Sequence, residues 1–339
     1  MIDVTITGGF LLGETRQCSM IWVQHDMKDA FTIKPMNVGA EIFGLDLSRP
    51  IDESARLALY RAWLDHGLLI FRETNAGAAE HVALSRCFGI LEQHPVPELW
   101  ANGDPYLIEL GRRHFGQAYV YNGDELRLGR FGWHRDTAYT PDICKGAILR
   151  MERIPPEDGE TLFADSALAY DALPSAIKER IEDLEFKATI RTSNLDITSG
   201  TVWKTVRAAS KEEHDGMDAV NNAGTAARYP SVIHPMVITH PESGRKCIYV
   251  SPQQLDHVIG LPQNESDQLL EYIVAHVTDE RFRHTHSWRP GDMILWDNRR
   301  FLHATLGYHP KYERTGYRTT LAGPLKTGRY FHDEHLALS

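Results

Sequence analysis

The stretch Arg289-Pro290-Gly291-Asp292-Met293-Ile294-Leu295-Trp296-Asp297-Asn298-Arg299-Arg300-Phe301-Leu302-His303-Ala304 opens on a Pro-Gly turn. The turn feeds an apolar, strand-length run at residues 293–296. A polar corner then leads to a histidine, His303. Working outward, similar short runs recur at residues 67–71, 106–110, 118–121, 147–151, 237–239, 247–250 and 317–322. Each is rich in β-branched or aromatic residues and suits a buried or half-buried strand. Helices are expected near 52–66, 78–88 (closed by Gly89), 166–184 and 266–277.

These helices do not alternate regularly with the strands, which disfavours a doubly wound parallel sheet. The sequence also lacks Gly-x-Gly-x-x-Gly and Gly-x4-Gly-Lys-Ser/Thr, removing the usual dinucleotide and P-loop readings. Many short strands with few helices predict a mainly β fold with flanking helices around a double-stranded β-helix (jelly roll) core. The main pattern begins at Phe31-Thr32-Ile33. Residues 1–30 therefore read as an N-terminal extension, 31–325 as a single domain and 326–339 as a C-terminal tail. Two polar, turn-rich stretches, near 112–130 and 192–229, read as lid insertions.

The chain has 339 residues, with 36 Lys+Arg against 46 Asp+Glu and a net charge of −10. With 42% hydrophobic and 24% charged residues it has a globular composition. The acidic balance argues against a nucleic-acid partner, which would call for a basic face. No apolar run reaches the roughly 18 to 20 residues of a membrane helix. Met1-Ile2-Asp3-Val4 carries an acid where a signal peptide has a cationic start, so a cytoplasmic location is expected. Cys18, Cys87, Cys144 and Cys247 lack zinc-ribbon or redox-motif spacing and read as reduced core residues.

The chemistry begins with Trp133-His134-Arg135-Asp136-Thr137. On a strand, residues two apart face the same side, so His134 and Asp136 project together. His303 can supply a third ligand. Two imidazoles and one carboxylate make a facial triad with open positions, the arrangement of non-haem Fe(II) oxygenases. Arg314 and Arg318 share a strand face, about 13 Å apart at roughly 3.3 Å per residue. On the surface they would be ordinary charges; inside a barrel they would demand anions such as carboxylates or sulfonates.

Together with these residues, Gly39-Ala40-Glu41-Ile42-Phe43-Gly44-Leu45-Asp46-Leu47-Ser48-Arg49-Pro50, Arg86-Cys87-Phe88-Gly89, His94-Pro95, Gly159-Glu160-Thr161, His234-Pro235 and Trp296-Asp297-Asn298-Arg299 stand in a known order. The chain resembles the taurine dioxygenase and 2,4-dichlorophenoxyacetate dioxygenase family of Fe(II)- and 2-oxoglutarate-dependent oxygenases. That resemblance implies that His134, Asp136 and His303 bind Fe(II). It implies that Arg314 and Thr161 hold the distal carboxylate of 2-oxoglutarate, and that Arg318 and His94 hold the anionic group of the main substrate. The reaction implied consumes O2, releases succinate and CO2, and oxidises a C–H bond, most directly by hydroxylation. Asp136 speaks against halogenation, because related halogenases carry a small residue there.

Two departures bear on the substrate. Arg130 stands where the taurine enzyme has an asparagine, and residues 192–229 diverge. The substrate class is therefore a small or medium carboxylate, sulfonate, sulfate ester or phosphonate rather than taurine in particular. The rival readings are desaturation, cyclisation or oxidative nitrogen chemistry at the same iron, a non-catalytic jelly-roll binding protein, and metal-dependent hydrolysis. A homo-oligomer, dimer or larger, is expected from the resemblance.

Overall fold

Leu68-Leu69-Ile70-Phe71 has no polar side chain to turn toward water, and the strand Leu68–Phe71 is buried on both faces. It lies within an eight-stranded sheet. The computed structural model describes residues 31–94, 97–111, 120–122, 125–189, 206–208, 230–323 and 325–332. In it the sheet runs Thr32–Pro35, Ala40–Phe43, Leu68–Phe71, Met293–Asp297, Gly146–Arg153, Thr315–Leu321, Asp104–Gly111 and Trp100–Ala101. Neighbours are antiparallel except Ala40–Phe43 beside Leu68–Phe71. A four-stranded antiparallel sheet, ordered Arg283–His286, Thr161–Asp165, Phe301–Thr305 and Phe131–His134, packs against it. The polar corner between Met293–Asp297 and Phe301–Thr305 carries the chain from the larger sheet to the smaller, giving the expected jelly-roll core.

Strand alternation sorts the apolar side chains. Leu68, Ile70, Ala147, Leu149, Ile294 and Trp296 face inward and meet Phe163 and Phe301 of the smaller sheet. Their neighbours Leu69, Phe71, Ile148, Met293 and Leu295 face outward and are covered by helices Glu53–His66 and Ala78–Arg86. Behind the smaller sheet, Leu162, Ala164, Leu302 and Ala304 pack under helices Ser166–Asp171 and Gln263–Val277. The helix Glu53–His66 starts where the Asp52 carboxylate accepts from the Ala55 N–H, and it ends at Gly67. Gly67 has φ +70°, and a Cβ there would lie 2.5 Å from the Phe301 ring. Only glycine fits that turn.

The expected helix over 166–184 is two helices, Ser166–Asp171 and Ser175–Ile181. Pro174 divides them, because proline disfavours helical backbone in the residue before it. The other helices and strands fall within a few residues of their expected positions. Of the expected extension, lids and tail, residues 1–30, 112–119, 123–124, 190–205, 209–229 and 333–339 lie outside the described residues. Within the stretch read as a tail, the Lys326 end of Leu325–Lys326 pairs with Asp142, and Arg329–Tyr330 pairs with Val232 and Ile233. Cys87, Cys144 and Cys247 are free thiols. Among the described residues, no helix is long and apolar enough to cross a membrane.

Two buried histidines tie this packing to pH. His81 lies beneath the larger sheet with Nε2 donating to the Ile148 carbonyl at 3.2 Å, and burial pushes its pKa down to about 3. His234 donates to the Ala138 carbonyl at 3.1 Å and is pushed down by burial to about 4. Unfolding returns both to an ordinary value near 6.5, so the unfolded chain binds more protons. Their contribution is complete above pH 6.5 and is lost as pH falls, toward about 4 for His234 and about 3 for His81. Denaturant melts at pH 7.5 and 5 should show a loss of about 2 kcal/mol per histidine. His234→Gln should remove its share of that slope; an unchanged slope would contradict a neutral His234.

Candidate active site and metal centre

His134 ends the strand Phe131–His134 and pairs directly across from His303 of Phe301–Thr305. The next pairing is Phe131 with Thr305, so the ladder is irregular between His303 and Thr305. That irregularity re-aims the side chains at the strand end. The two imidazole centroids lie 4.0 Å apart. Asp136 follows the strand, with Oδ1 3.8 Å from His134 Nε2 and 3.9 Å from His303 Nε2. The three potential ligand atoms lie within 4.8 Å of one another.

Protonation states suit a cation. His134 Nδ1 lies 2.7 Å from the Gly132 carbonyl, which can only accept; Nδ1 therefore carries the proton and Nε2 a free lone pair. Burial pushes both imidazole pKa values down, His303 well below its ordinary value, keeping them in the neutral ligand form. Burial alone would raise the Asp136 pKa, but Arg318 and the two histidines outweigh it and bring it to about 2. Arg318 NH1 donates to both Asp136 oxygens, at 3.1 and 3.3 Å. One ionised carboxylate and two neutral imidazoles converge on a single point.

The peptide around Asp136 is fastened by residues to which sequence reasoning gave no role. The Asn298 carboxamide accepts from the Asp136 N–H and donates to the Asp136 carbonyl, both at 2.9 Å. Between the candidate ligands, Arg135 turns the opposite way and is fully buried. Its guanidinium donates to the carbonyls of Ile248, Val250, Asn298 and Phe301 and to the Ser166 hydroxyl. It also lies 4.9 Å over the Tyr249 ring. The signal for Asn298 was its place in the polar corner after a buried strand; for Arg135 the sequence held none.

Thr161 and Arg314 form a second cluster. Thr161 sits between Thr305 and His286 in the smaller sheet. Its Oγ1 accepts from Trp288 Nε1 at 3.0 Å and, more weakly, from Arg314 NH2 at 3.5 Å. Burial pushes the Arg314 pKa down to about 10, with only Tyr308 opposing, and Arg314 Nε is buried without a hydrogen-bond partner. A desolvated guanidinium of this kind is a seat for an external carboxylate. His94, His134, Asp136, Thr161, His303, Arg314 and Arg318 all line one cavity of about 700 Å³. The structure thus gathers every candidate residue, and adds Arg318 as a direct partner of Asp136.

Asn298→Ala leaves all three candidate ligands in place but releases both hydrogen bonds to the Asp136 backbone. The apo-protein should then bind Fe(II) or Mn(II) about ten- to a hundredfold more weakly. Direct metal titration measures this, and unchanged affinity would show that the Asp136 peptide is held without Asn298.

Residues 30–320 match the family model described as Taurine catabolism dioxygenase TauD, TfdA family. The (S)-phenoxypropionate/alpha-ketoglutarate-dioxygenase of Sphingobium herbicidovorans is 30% identical, over 88% of this chain and 96% of its own length. The Alkylsulfatase of Acinetobacter baylyi is 28% identical over 86% of this chain and 84% of its own. The crystal structure of a taurine dioxygenase from Burkholderia xenovorans superposes with a TM-score of 0.68 at 26% identity, covering 89% of this chain and 95% of that one. The extent of these matches agrees with the gathered site, and the chain belongs to the TauD/TfdA family of dioxygenases.

Proposed function

We propose that this 2-oxoglutarate-dependent dioxygenase hydroxylates a C–H bond of a small or medium substrate that carries one anionic group on an apolar body. The observation that carries the reading is the meeting, in one cavity, of an ionised carboxylate, two neutral imidazoles and an uncompensated guanidinium. The donor set fits Fe(II), with His134, His303 and Asp136 as its ligands, and the Arg314–Thr161 pair fits the distal carboxylate of 2-oxoglutarate. When bound, Fe(II) and 2-oxoglutarate supply the O2 activation that oxidises the substrate, with succinate and CO2 as co-products.

The chain's own residues do the positioning. Asp136 and Arg318 hold each other in place, while the Nε of Arg318, buried and without a hydrogen-bond partner, remains for the substrate's anionic group. His94, on the same cavity, is assigned to that group as well. Phe131, Ile143, Leu149 and Leu110 give the cavity an apolar wall, which excludes water and suits a carbon body. Substrates named for two relatives, a phenoxypropionate and an alkyl sulfate, share this plan of one anion on an apolar frame. Free thiols and Fe(II) both favour a reducing compartment, and we place the protein in the cytoplasm, as a homo-oligomer without a nucleic-acid or membrane partner.

Anaerobic addition of Fe(II) and then 2-oxoglutarate to the apo-protein should give a visible charge-transfer band that saturates near one equivalent. His303→Ala should abolish the band and the coupled release of succinate. Arg314→Ala should raise the 2-oxoglutarate needed for half-saturation at least about tenfold, given a charge-assisted bond in a buried site. A folded protein that gives no band overturns the reading. A panel of carboxylates, sulfonates, sulfate esters and phosphonates, scored by succinate release, then sorts the substrate class.

A further inference from the structure

A threonine hydroxyl holds one proton and two lone pairs, and its surroundings decide whether it donates or accepts. At Thr161 both lone pairs face donors that cannot accept. The Trp288 indole N–H stands 3.0 Å away and the Arg314 guanidinium 3.5 Å. The hydroxyl proton is left with no role among these neighbours except to point at an acceptor in the cavity. Resting on the assignment of Thr161 and Arg314 to the distal end of 2-oxoglutarate, we infer that Trp288 is a positioning residue. By occupying an acceptor site of Thr161, it makes the clamp a set of donors only, selective for an ionised carboxylate over its carboxamide.

Trp288 is well placed for this task because it cannot readily move. It is 9% exposed, packs in the inter-sheet core, and meets the His286 ring edge-on with centroids 4.7 Å apart. The turn that follows it is closed by the Asp292 carboxylate, which accepts from the Arg289 N–H at 3.0 Å and from Arg72 NH1 at 2.6 Å. The Gly291 carbonyl accepts from both the N–H and the hydroxyl of Thr74, each at 2.9 Å. Gly291 has φ +82°, and a Cβ there would approach the Glu73 Cα to 3.1 Å. The indole N–H is thus aimed by a turn that glycine alone permits.

A carboxamide brings an N–H2 that needs an acceptor, and with Trp288 in place Thr161 offers none. Without the indole N–H, the hydroxyl can rotate, accept from the amide and let the amide oxygen face Arg314. The test compares 2-oxoglutarate with its distal amide, 2-oxoglutaramate, by anaerobic titration of the Fe(II)-loaded enzyme. In Trp288→Phe the preference for the acid over the amide should fall about fivefold, the worth of one hydrogen bond. Benzothienylalanine at position 288, which keeps the indole shape and lacks the N–H, should give the same fall and carries the test if the phenylalanine variant does not fold. In a Thr161→Val background, Trp288→Phe should leave the preference unmoved, because the hydroxyl it acts through is gone. An unchanged preference in the isosteric variant, or the same fall with and without Thr161, overturns the role of Trp288. If instead Thr161→Val and Arg314→Ala both leave 2-oxoglutarate affinity unchanged, the clamp assignment itself has failed.

Discussion

The site depends on a cation that binds no ligand of its own. Arg135 is enclosed on all sides, and the carbonyls of Ile248, Val250, Asn298 and Phe301 supply the partial negative charge that water would otherwise give it. Removing a guanidinium from water is costly, and only a dense shell of oriented dipoles makes it tolerable. That shell comes from chain segments remote in sequence, so Arg135 draws them to one point. With its side chain committed to the interior, the residues on either side of it, His134 and Asp136, turn toward the cavity. Asn298 is engaged twice, its carbonyl by Arg135 and its carboxamide by the Asp136 backbone.

The same economy appears in the sheets. Met293–Asp297 lies between Leu68–Phe71 and Gly146–Arg153 in the larger sheet, and Phe301–Thr305 lies between Thr161–Asp165 and Phe131–His134 in the smaller. The corner between them therefore touches both layers. It sends Arg299 to Asp297 and Glu242, and Arg300 to Asp165, while Asn298 serves Asp136. A polar corner in a buried place is stable only when its groups are matched, and here the match of Asn298 also fixes Asp136 at the site.

Much of this was legible in the sequence because alternation and apolar run length report directly on which faces are covered. The strands at 68–71, 147–151 and 293–296 could be read in that way. The convergence of His134 and Asp136 was also anticipated, but not by the alternation expected, because the strand stops at His134 and Asp136 lies in the turn beyond it. Pro174 was visible but was passed over, since the apolar pattern of 166–184 continues across it; the local backbone restriction wins over the pattern. The contact of Arg318 with Asp136 was not legible, because periodicity gives a face and not the residue opposite. Trp288 was hidden for a related reason: an indole looks like core packing until its N–H is seen to have a particular acceptor. The segments read as lids fall largely outside the described residues.

The sequence distances across the site have a consequence for the making of the protein. Asp136 and Asn298 are 162 residues apart, Thr161 and Arg314 are 153 apart, and Asp136 and Arg318 are 182 apart. A chain emerging from the ribosome carries His134 and Asp136 long before it carries His303 or either arginine. Contacts of such long range form late, after local structure has been laid down. The side chains that line the cavity therefore come together only after Phe301–Thr305 and Thr315–Leu321 have been made and have joined their sheets.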